Sequence, residues 1–360
     1  MKENRIDVII PAFKAHKTIL KTLCSIVQQS ILKDIDITIV NDGCPEGDYH
    51  RFVDMFSEFV TIKELSIKNS GPAIARQYGI DHTEDEFIVF IDADDTFYGS
   101  RALELMRSRI QINDSFQCCS THFQEVLPTT SRIIIHQQDM IWLFGKIYRR
   151  SFLDEFDIRF IDSRASNQDT GFNELVKMYC NDDQHQLCFS DDCTYTWNYR
   201  ESSITVNGDY QYIYDMAICG YIDNMIYVAD HVKKHNPDFS LDDWALYVLT
   251  CLYTKYNMVC SQNPIFKDQC WYYIRKFYHR TFLKVYSGLP EDYANNLMFH
   301  TINEQNQLPD MENVIPRMSI YQFIAELNGS TFNEMEIESI RERLPKEVKD
   351  NNKSCGMMES

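Results

Sequence analysis

Residues 90–95 read Phe90-Ile91-Asp92-Ala93-Asp94-Asp95, an apolar run that ends in three carboxylates within four positions. In an open α/β sheet, ligands bind beyond the carboxyl ends of the strands, which is where such a run delivers its acids. Carboxylates gathered there are costly unless a cation offsets them. Oxygen-only ligands suit Mg²⁺ or Mn²⁺ rather than zinc, and an Asp-x-Asp pair could hold such an ion against a diphosphate. An acidic loop ahead of the helix starting near Ser100 would look the same in sequence.

Four further segments could carry chemistry. Val40-Asn41-Asp42-Gly43 closes a second strand; Asp-Gly is a common turn, but a carboxylate at a sheet edge could accept a hydrogen bond from a nucleobase or ribose. Asn69-Ser70-Gly71-Pro72 opens a helix with Arg76 one turn inside, which makes an anion site or an ordinary capped helix. Asp169, in Asn167-Gln168-Asp169-Thr170-Gly171-Phe172, precedes a helix; it is either a first-turn acid or a general base. Tyr195 to Thr205 joins an aromatic strand to Arg200 and could frame a sugar and a phosphate, or pack as an edge strand.

The elements that must position these residues alternate. Ile6–Ile10, Ile35–Ile39, Val60–Leu65 and Phe87–Ile91 read as strands, with helical spacing at Leu20–Val27, Tyr49–Phe56 and Ile74–Tyr78. Short βα units predict parallel pairing with helices on both faces. Strands are also expected at Phe116–Phe123, Ile133–Ile135 and Cys193–Tyr199, and a helix at Gly171–Tyr179. After about residue 209 the patterns are helical and rich in Tyr and Trp. The expected organisation is an α/β domain over 1–206, a helical region over 207–345 and a flexible tail over 346–360. The helical region is expected on the acceptor side or in a homodimer contact, its Trp244 and Trp271 more as core than as ligand platform.

Composition excludes several classes. An apolar fraction of 44% over 360 residues supplies a core without metal or disulfide staples. A net charge of −18 repels phosphate backbones, so a nucleic-acid partner is disfavoured. The twelve cysteines form no C-x-x-C pair, which leaves a zinc site unsupported at this level. No run resembles a signal peptide or a membrane span, so the chain reads as cytoplasmic, or peripheral at a membrane.

Taken in order, strand-Pro11-Ala12-Phe13, Val40-Asn41-Asp42-Gly43, Asn69-Ser70-Gly71-Pro72-Ala73-x-Ala75-Arg76 and Asp92-Ala93-Asp94-Asp95 resemble the nucleotide-binding half of glycosyltransferase family 2, with its GT-A fold. Downstream, Gly145-Lys146-x-Tyr148-Arg149-Arg150, Asn167-Gln168-Asp169-x-x-Phe172 and Tyr199-Arg200-x-x-x-Ile204-Thr205 are similar to later motifs of that family. The resemblance spans residues 5–206 and implies a Rossmann-like mixed sheet flanked by helices.

It also implies roles. Pro11, Ala12, Phe13 and Asp42 would line the base pocket, with Asn69, Gly71, Arg76, Asp92 and Ala93 by the nucleotide. Asp92 and Asp94 would be the metal-binding pair, with Asp94 the direct ligand for Mn²⁺ or Mg²⁺ and Asp92 nearer the ribose. Asp169 would be the catalytic base. Lys146, Gln168, Trp197 and Arg200 are weaker candidates for acceptor or sugar contacts. Gln168 replaces the family's usual Glu and Asn41 a common Asp, and no third metal ligand stands out among His122, His136 and His185. The implied reaction is inverting transfer from a nucleotide sugar, expected to be UDP-linked, to a hydroxyl of a saccharide or glycoconjugate. Alternatives are a protein or modified-nucleobase hydroxyl as acceptor, or a non-catalytic nucleotide-sugar scaffold. A sugar-nucleotide pyrophosphorylase would need a glycine-rich loop after the first strand, which Pro11-Ala12-Phe13-Lys14-Ala15 lacks.

Overall fold

A computed structural model describes residues 2–127, 132–161, 167–198, 210–308 and 311–342. The chain forms two compact units, residues 1–164 with 168–207, and 208–360 with 165–167.

The first unit runs β1 (Lys2–Ala12), α1 (Ile19–Val27), β2 (Ile35–Asp42), α2 (His50–Phe56), β3 (Thr61–Ile67), α3 (Pro72–Asp81), β4 (Asp85–Phe90), β5 (Thr96–Phe97) and α4 (Ala102–Ile110). It continues with β6 (Phe116–Leu127), β7 (Arg132–His136), β8 (Lys146–Arg149), α5 (Arg150–Glu155), α6 (Gln168–Tyr179) and β9 (Gln186–Asn198). The strands form one mixed sheet in the order β3-β2-β1-β4-β8-β6-β9-β5, with β7 paired to β6. β1 pairs in parallel with β2 and β4, and β2 with β3. β8 then runs antiparallel between β4 and β6, while β9 lies parallel to β6. This is the mixed α/β sheet expected from the sequence.

The strand cores are apolar because both faces are covered. Ile6, Val8, Ile9 and Ile10 of β1 are fully buried, as are Phe87 and Ile88 of β4. Helix α3 lies so close to the sheet that a Cβ on Gly79 would sit 2.5 Å from Ile9 Cγ2, so only glycine fits there. At the start of the parallel strands, three acids, Asp7, Asp36 and Asp85, are buried together. Lys2 and Arg5 pair with Asp36, and Arg150 Nη2 donates to Asp7 at 2.9 Å. Burial, with Asp7 and Asp36 adding repulsion, pushes the Asp85 carboxyl up to about 6.

The second unit is helical: α7 (Tyr210–His235), α8 (Asp242–Gln262), α9 (Lys267–Phe277), a π-turn at Tyr278–Phe282, α10 (Leu283–Val285), α11 (Glu291–Gln305), α12 (Ile320–Asn328) and α13 (Glu336–Glu342). Both of its tryptophans pack against other aromatics. Trp271 packs on Tyr256 at 5.1 Å and on Phe323 at 5.6 Å, and Trp244 is buried. Ser319 and Gln322 close a reciprocal capping box on α12. Among the described residues, no helix is long and apolar enough to cross a membrane. The expected tail over 346–360 lies outside the described residues.

Candidate functional site

Parallel pairing makes the segments after Ala12, Asp42, Ile67 and Phe90 emerge along one edge of the sheet. Pro11 and Ala12 end β1, and Phe13 beyond them is 37% exposed, enough to offer a ring face at the edge. Asp42 ends β2 but turns its carboxylate to the neighbouring loop. Ser70 N–H donates to Oδ1 at 2.7 Å and Gly71 N–H donates to Oδ2 at 2.9 Å. Asp42 therefore fixes the entry to α3, where Gly71 takes a φ of +92° that suits glycine and Pro72 follows in the first turn. Gly43 is held by a close approach, since a Cβ there would lie 2.5 Å from the Asn69 backbone nitrogen.

Arg76 projects from the second turn of α3 and is buried. Its Nη2 donates to Asp92 Oδ1 at 2.7 Å. Burial works against its charge, but Asp92 and then Asp169 hold the guanidinium protonated above its usual range. The helix that carries Arg76 and the loop that carries Asp92 are thus joined by an ion pair.

Asp92, Asp94 and Asp95 each offer a carboxylate oxygen, all within 4.8 Å of one another. They are not equivalent. Asp95 is buried; Tyr195 O–H donates to its Oδ2 at 2.6 Å and Asn198 N–H to its Oδ1 at 2.8 Å. Burial, reinforced by Asp92 and Asp94, pushes its carboxyl well up. Tyr195 also accepts the Asp92 N–H at 3.3 Å, and Asn198 Nδ2 donates to the Asp94 carbonyl at 3.0 Å. Strand β9 therefore holds the acidic turn from behind. Asp92 and Asp94 are the partly exposed members. Two such carboxylates fit a hard divalent ion whose other ligands are water and phosphate oxygens. Of the candidate histidines, His136 is paired with Glu125 and His185 with Asp182, while His122 Nε2 lies 3.5 Å from Asp191 Oδ1.

Asp169 lies within the first turn of α6, not before the helix, because α6 begins at Gln168, three residues earlier than the Gly171 start expected from spacing. The helix is anchored one turn on. Phe172 stacks on Phe160 at 4.3 Å and meets Phe90 and Tyr148 edge-on. Asn173 accepts the Tyr148 hydroxyl at 2.7 Å and donates to the carbonyls of Ile141 and Trp142. The Asp-x-x-Phe spacing thus sets the acid one helical turn from a side chain buried against β4 and β8. Burial raises the Asp169 carboxyl above the ordinary range, with Arg76 and the Thr170 N–H opposing.

The remaining candidates separate. Lys146 is fully buried, with Nζ 3.5 Å from Asp139 Oδ1, and burial lowers its ammonium. Gln168 is buried at the head of α6. Trp197 joins an aromatic column: Phe144 stacks with Trp142 at 6.0 Å, with Tyr195 at 4.9 Å and with Trp197 at 6.1 Å. Trp142, 40% exposed, ends that column and was not singled out from sequence. Ala93 is buried in the acidic turn. Arg200 lies outside the described residues. Sequence reasoning counted Asp95 among the acids of the turn and Tyr195 and Asn198 in the aromatic segment, but did not pair them. The available signals were a third acid in the turn and a Tyr-x-x-Asn spacing in β9.

Residues 7–166 match the family profile described as glycosyl transferase family 2. The poly(ribitol-phosphate) β-N-acetylglucosaminyltransferase TarS of Staphylococcus aureus is 24% identical over 192 residues, covering 49% of this chain and 33% of TarS. The cholesterol galactosyltransferase of Borreliella burgdorferi is 28% identical over 119 residues, 33% of each chain. The chain thus spans a third or less of the curated relatives it matches. In structure, S. aureus TarS 1–349 in complex with UDP superposes with a TM-score of 0.60 at 15% identity, covering 91% of this chain and 93% of that one. That likeness shows the fold, which is GT-A. Residues 7–166, the segment that carries the acidic turn, are thus a glycosyltransferase family 2 domain by profile, and the chain shares the GT-A fold.

Proposed function

We propose that the chain is an inverting glycosyltransferase that moves a sugar from a UDP-linked donor to a hydroxyl of a saccharide or glycoconjugate. The observation that carries this reading is the convergence of Asp92, Asp94, Arg76 and Asp169 at one edge of the sheet, with Arg76 facing both Asp92 and Asp169. TarS, of the same fold, has been crystallised with UDP and with UDP-GlcNAc, which supports the choice of nucleotide.

Phe13 and the end of β1 would take the base, with Asn69 and Gly71 on the neighbouring loop that Asp42 holds through Ser70 and Gly71. Asp92 and Asp94 would hold Mn²⁺ or Mg²⁺, which when bound supplies positive charge to the leaving diphosphate. Asp169 would accept the proton of the acceptor hydroxyl. Its raised carboxyl makes it a stronger base than an exposed aspartate, while Arg76 opposes that rise by favouring the ionised form. Attack opposite the leaving group inverts the anomeric centre in one displacement. Trp142 and Trp197 would offer flat faces to the apolar side of a sugar ring. Lys146, buried beside Asp139, would act by shaping that wall rather than by touching sugar.

Calorimetric titration with nucleoside diphosphates, with Mn²⁺ and with EDTA, tests this. UDP is expected to bind with metal dependence, and Asp94→Ala to abolish that dependence. No binding of any nucleotide to folded protein would overturn the reading in favour of a scaffold.

A further inference from the structure

The loops after β1 and β2 bring together three side chains of a different chemistry. His16 Nδ1 lies 3.8 Å from Cys44 Sγ and 3.4 Å from Glu46 Oε2. One ligand atom from each of the three falls within 4.8 Å of the others. The ring's orientation is fixed by its other nitrogen. His16 Nε2 lies 2.9 Å from the Asp48 carbonyl oxygen. A carbonyl only accepts, so Nε2 carries a hydrogen, which leaves Nδ1 as the ring atom that faces the thiol and the carboxylate and would ligate an ion through its lone pair. Metal-bound histidines are oriented by this kind of outer bond.

The surroundings hold the arrangement in place. The His16 ring stacks on the buried Tyr49 at 4.3 Å with an interplanar angle of 16°. The Tyr49 hydroxyl accepts the Ala15 N–H at 3.1 Å. Lys14 N–H donates to Cys44 Sγ at 3.3 Å. Cys44 N–H donates to Asn41 Oδ1 at 2.9 Å, and Asn41 is held in turn by Glu64. These bonds come from outside the three ligands and set the positions of His16 and Cys44 before any ion arrives.

Zinc bond lengths of about 2.05 Å to N and O and about 2.3 Å to S place tetrahedral ligands about 3.6 Å apart for N···S and about 3.4 Å for N···O. The separations in the protein, 3.8 and 3.4 Å, are close to both. A mixed N, S and O set selects a borderline ion such as Zn²⁺ over Mg²⁺ or Mn²⁺. The Glu46 side chain is 51% exposed, so solvent can deliver the ion and fill the fourth position.

We propose that His16, Cys44 and Glu46 form a Zn²⁺ site, separate from Asp92 and Asp94, that ties the loop after β1 to the loop after β2. The proposal does not depend on the donor reading, because zinc binding here needs no nucleotide.

Titration of the metal-stripped full chain with Co²⁺, then displacement by Zn²⁺ against a chromophoric chelator, tests it. One Co²⁺ per chain is expected to give a near-ultraviolet sulfur-to-cobalt charge-transfer band that Zn²⁺ removes. Cys44→Ser should abolish the band. His16→Asn should weaken Zn²⁺ roughly 100-fold and Glu46→Gln roughly 10-fold. Asp94→Ala should change neither. Absence of the band in the wild type, its survival in Cys44→Ser, or wild-type zinc affinity in Glu46→Gln would each overturn the site. Glu46 is exposed, so its variant remains informative if the His16 variant fails to fold.

Discussion

Tyr195→Phe isolates one atom of the support behind the acidic turn. The ring stays packed, stacked on Phe144 at 4.9 Å and edge-on to Phe97, so only the hydroxyl is lost. That hydroxyl donates to Asp95 Oδ2 at 2.6 Å and accepts the Asp92 N–H at 3.3 Å. A hydrogen bond to an ionised carboxylate contributes about 1.5–3 kcal/mol, and one to a neutral carboxyl about 0.5–1.5 kcal/mol. The cost of the substitution therefore depends on pH. Burial raises the Asp95 carboxyl, whereas the Tyr195 bond lowers it. A carboxyl whose folded pKa is raised contributes stability below its unfolded pKa and loses it as pH rises through the folded one. Removing the hydroxyl raises the folded value further, so the loss grows on the alkaline side. Denaturant unfolding of both proteins across the pH range should show a destabilisation of about 1 kcal/mol when Asp95 is protonated, rising toward about 3 kcal/mol when it is ionised. A pH-independent difference, or one below about 0.5 kcal/mol at both ends, would refute the reasoning.

Asp169→Asn should keep nucleotide affinity and lower kcat by roughly 10²–10⁴, the usual contribution of general base catalysis, in single-turnover transfer assays. Because burial raises Asp169, wild-type kcat/KM should rise with pH through a transition above the ordinary carboxylate range, and a transition at or below that range would contradict the assignment. At the far end of the sheet, Asp85 sits at about 6 when folded, so its stabilising contribution is present below the unfolded value near 4 and is lost as pH rises through about 6. Asp85→Asn should flatten that decline, worth up to about 3 kcal/mol, in thermal or urea unfolding at stepped pH; an unchanged slope would remove Asp85 as its source.

Much of the first unit was legible because its signals are local. The strands of the parallel half declare themselves through unbroken apolar runs such as Val8–Ile10 and Phe87–Ile91, and the acids stand where those runs stop. β9 was harder. It starts at Gln186, seven residues before the Cys193 start read from sequence, because Asp191 and Asp192 interrupt its apolar pattern. The pairing of β6 with β9 also shifts register at Thr121–Phe123. A sheet ladder tolerates such a break when the neighbouring strand supplies the hydrogen bonds, and no local pattern records that neighbour.

By itself, the sequence determined which residue types end each strand, and hence that Asp92, Asp94 and Arg76 belong to the edge where a parallel sheet binds ligands. It also determined that a helix runs over 171–179, although not that Asp169 lies within its first turn. Only the tertiary structure decided how those groups divide the work. Asp42 faces backbone amides, Asp95 is claimed by Tyr195 a hundred residues away, and His16 meets Cys44 and Glu46 although no C-x-x-C spacing announces a metal. The reason is physical. Periodicity and strand ends are set by the backbone over a few residues, whereas hydrogen-bond partners and burial depend on which distant segments the fold brings within about 3–4 Å.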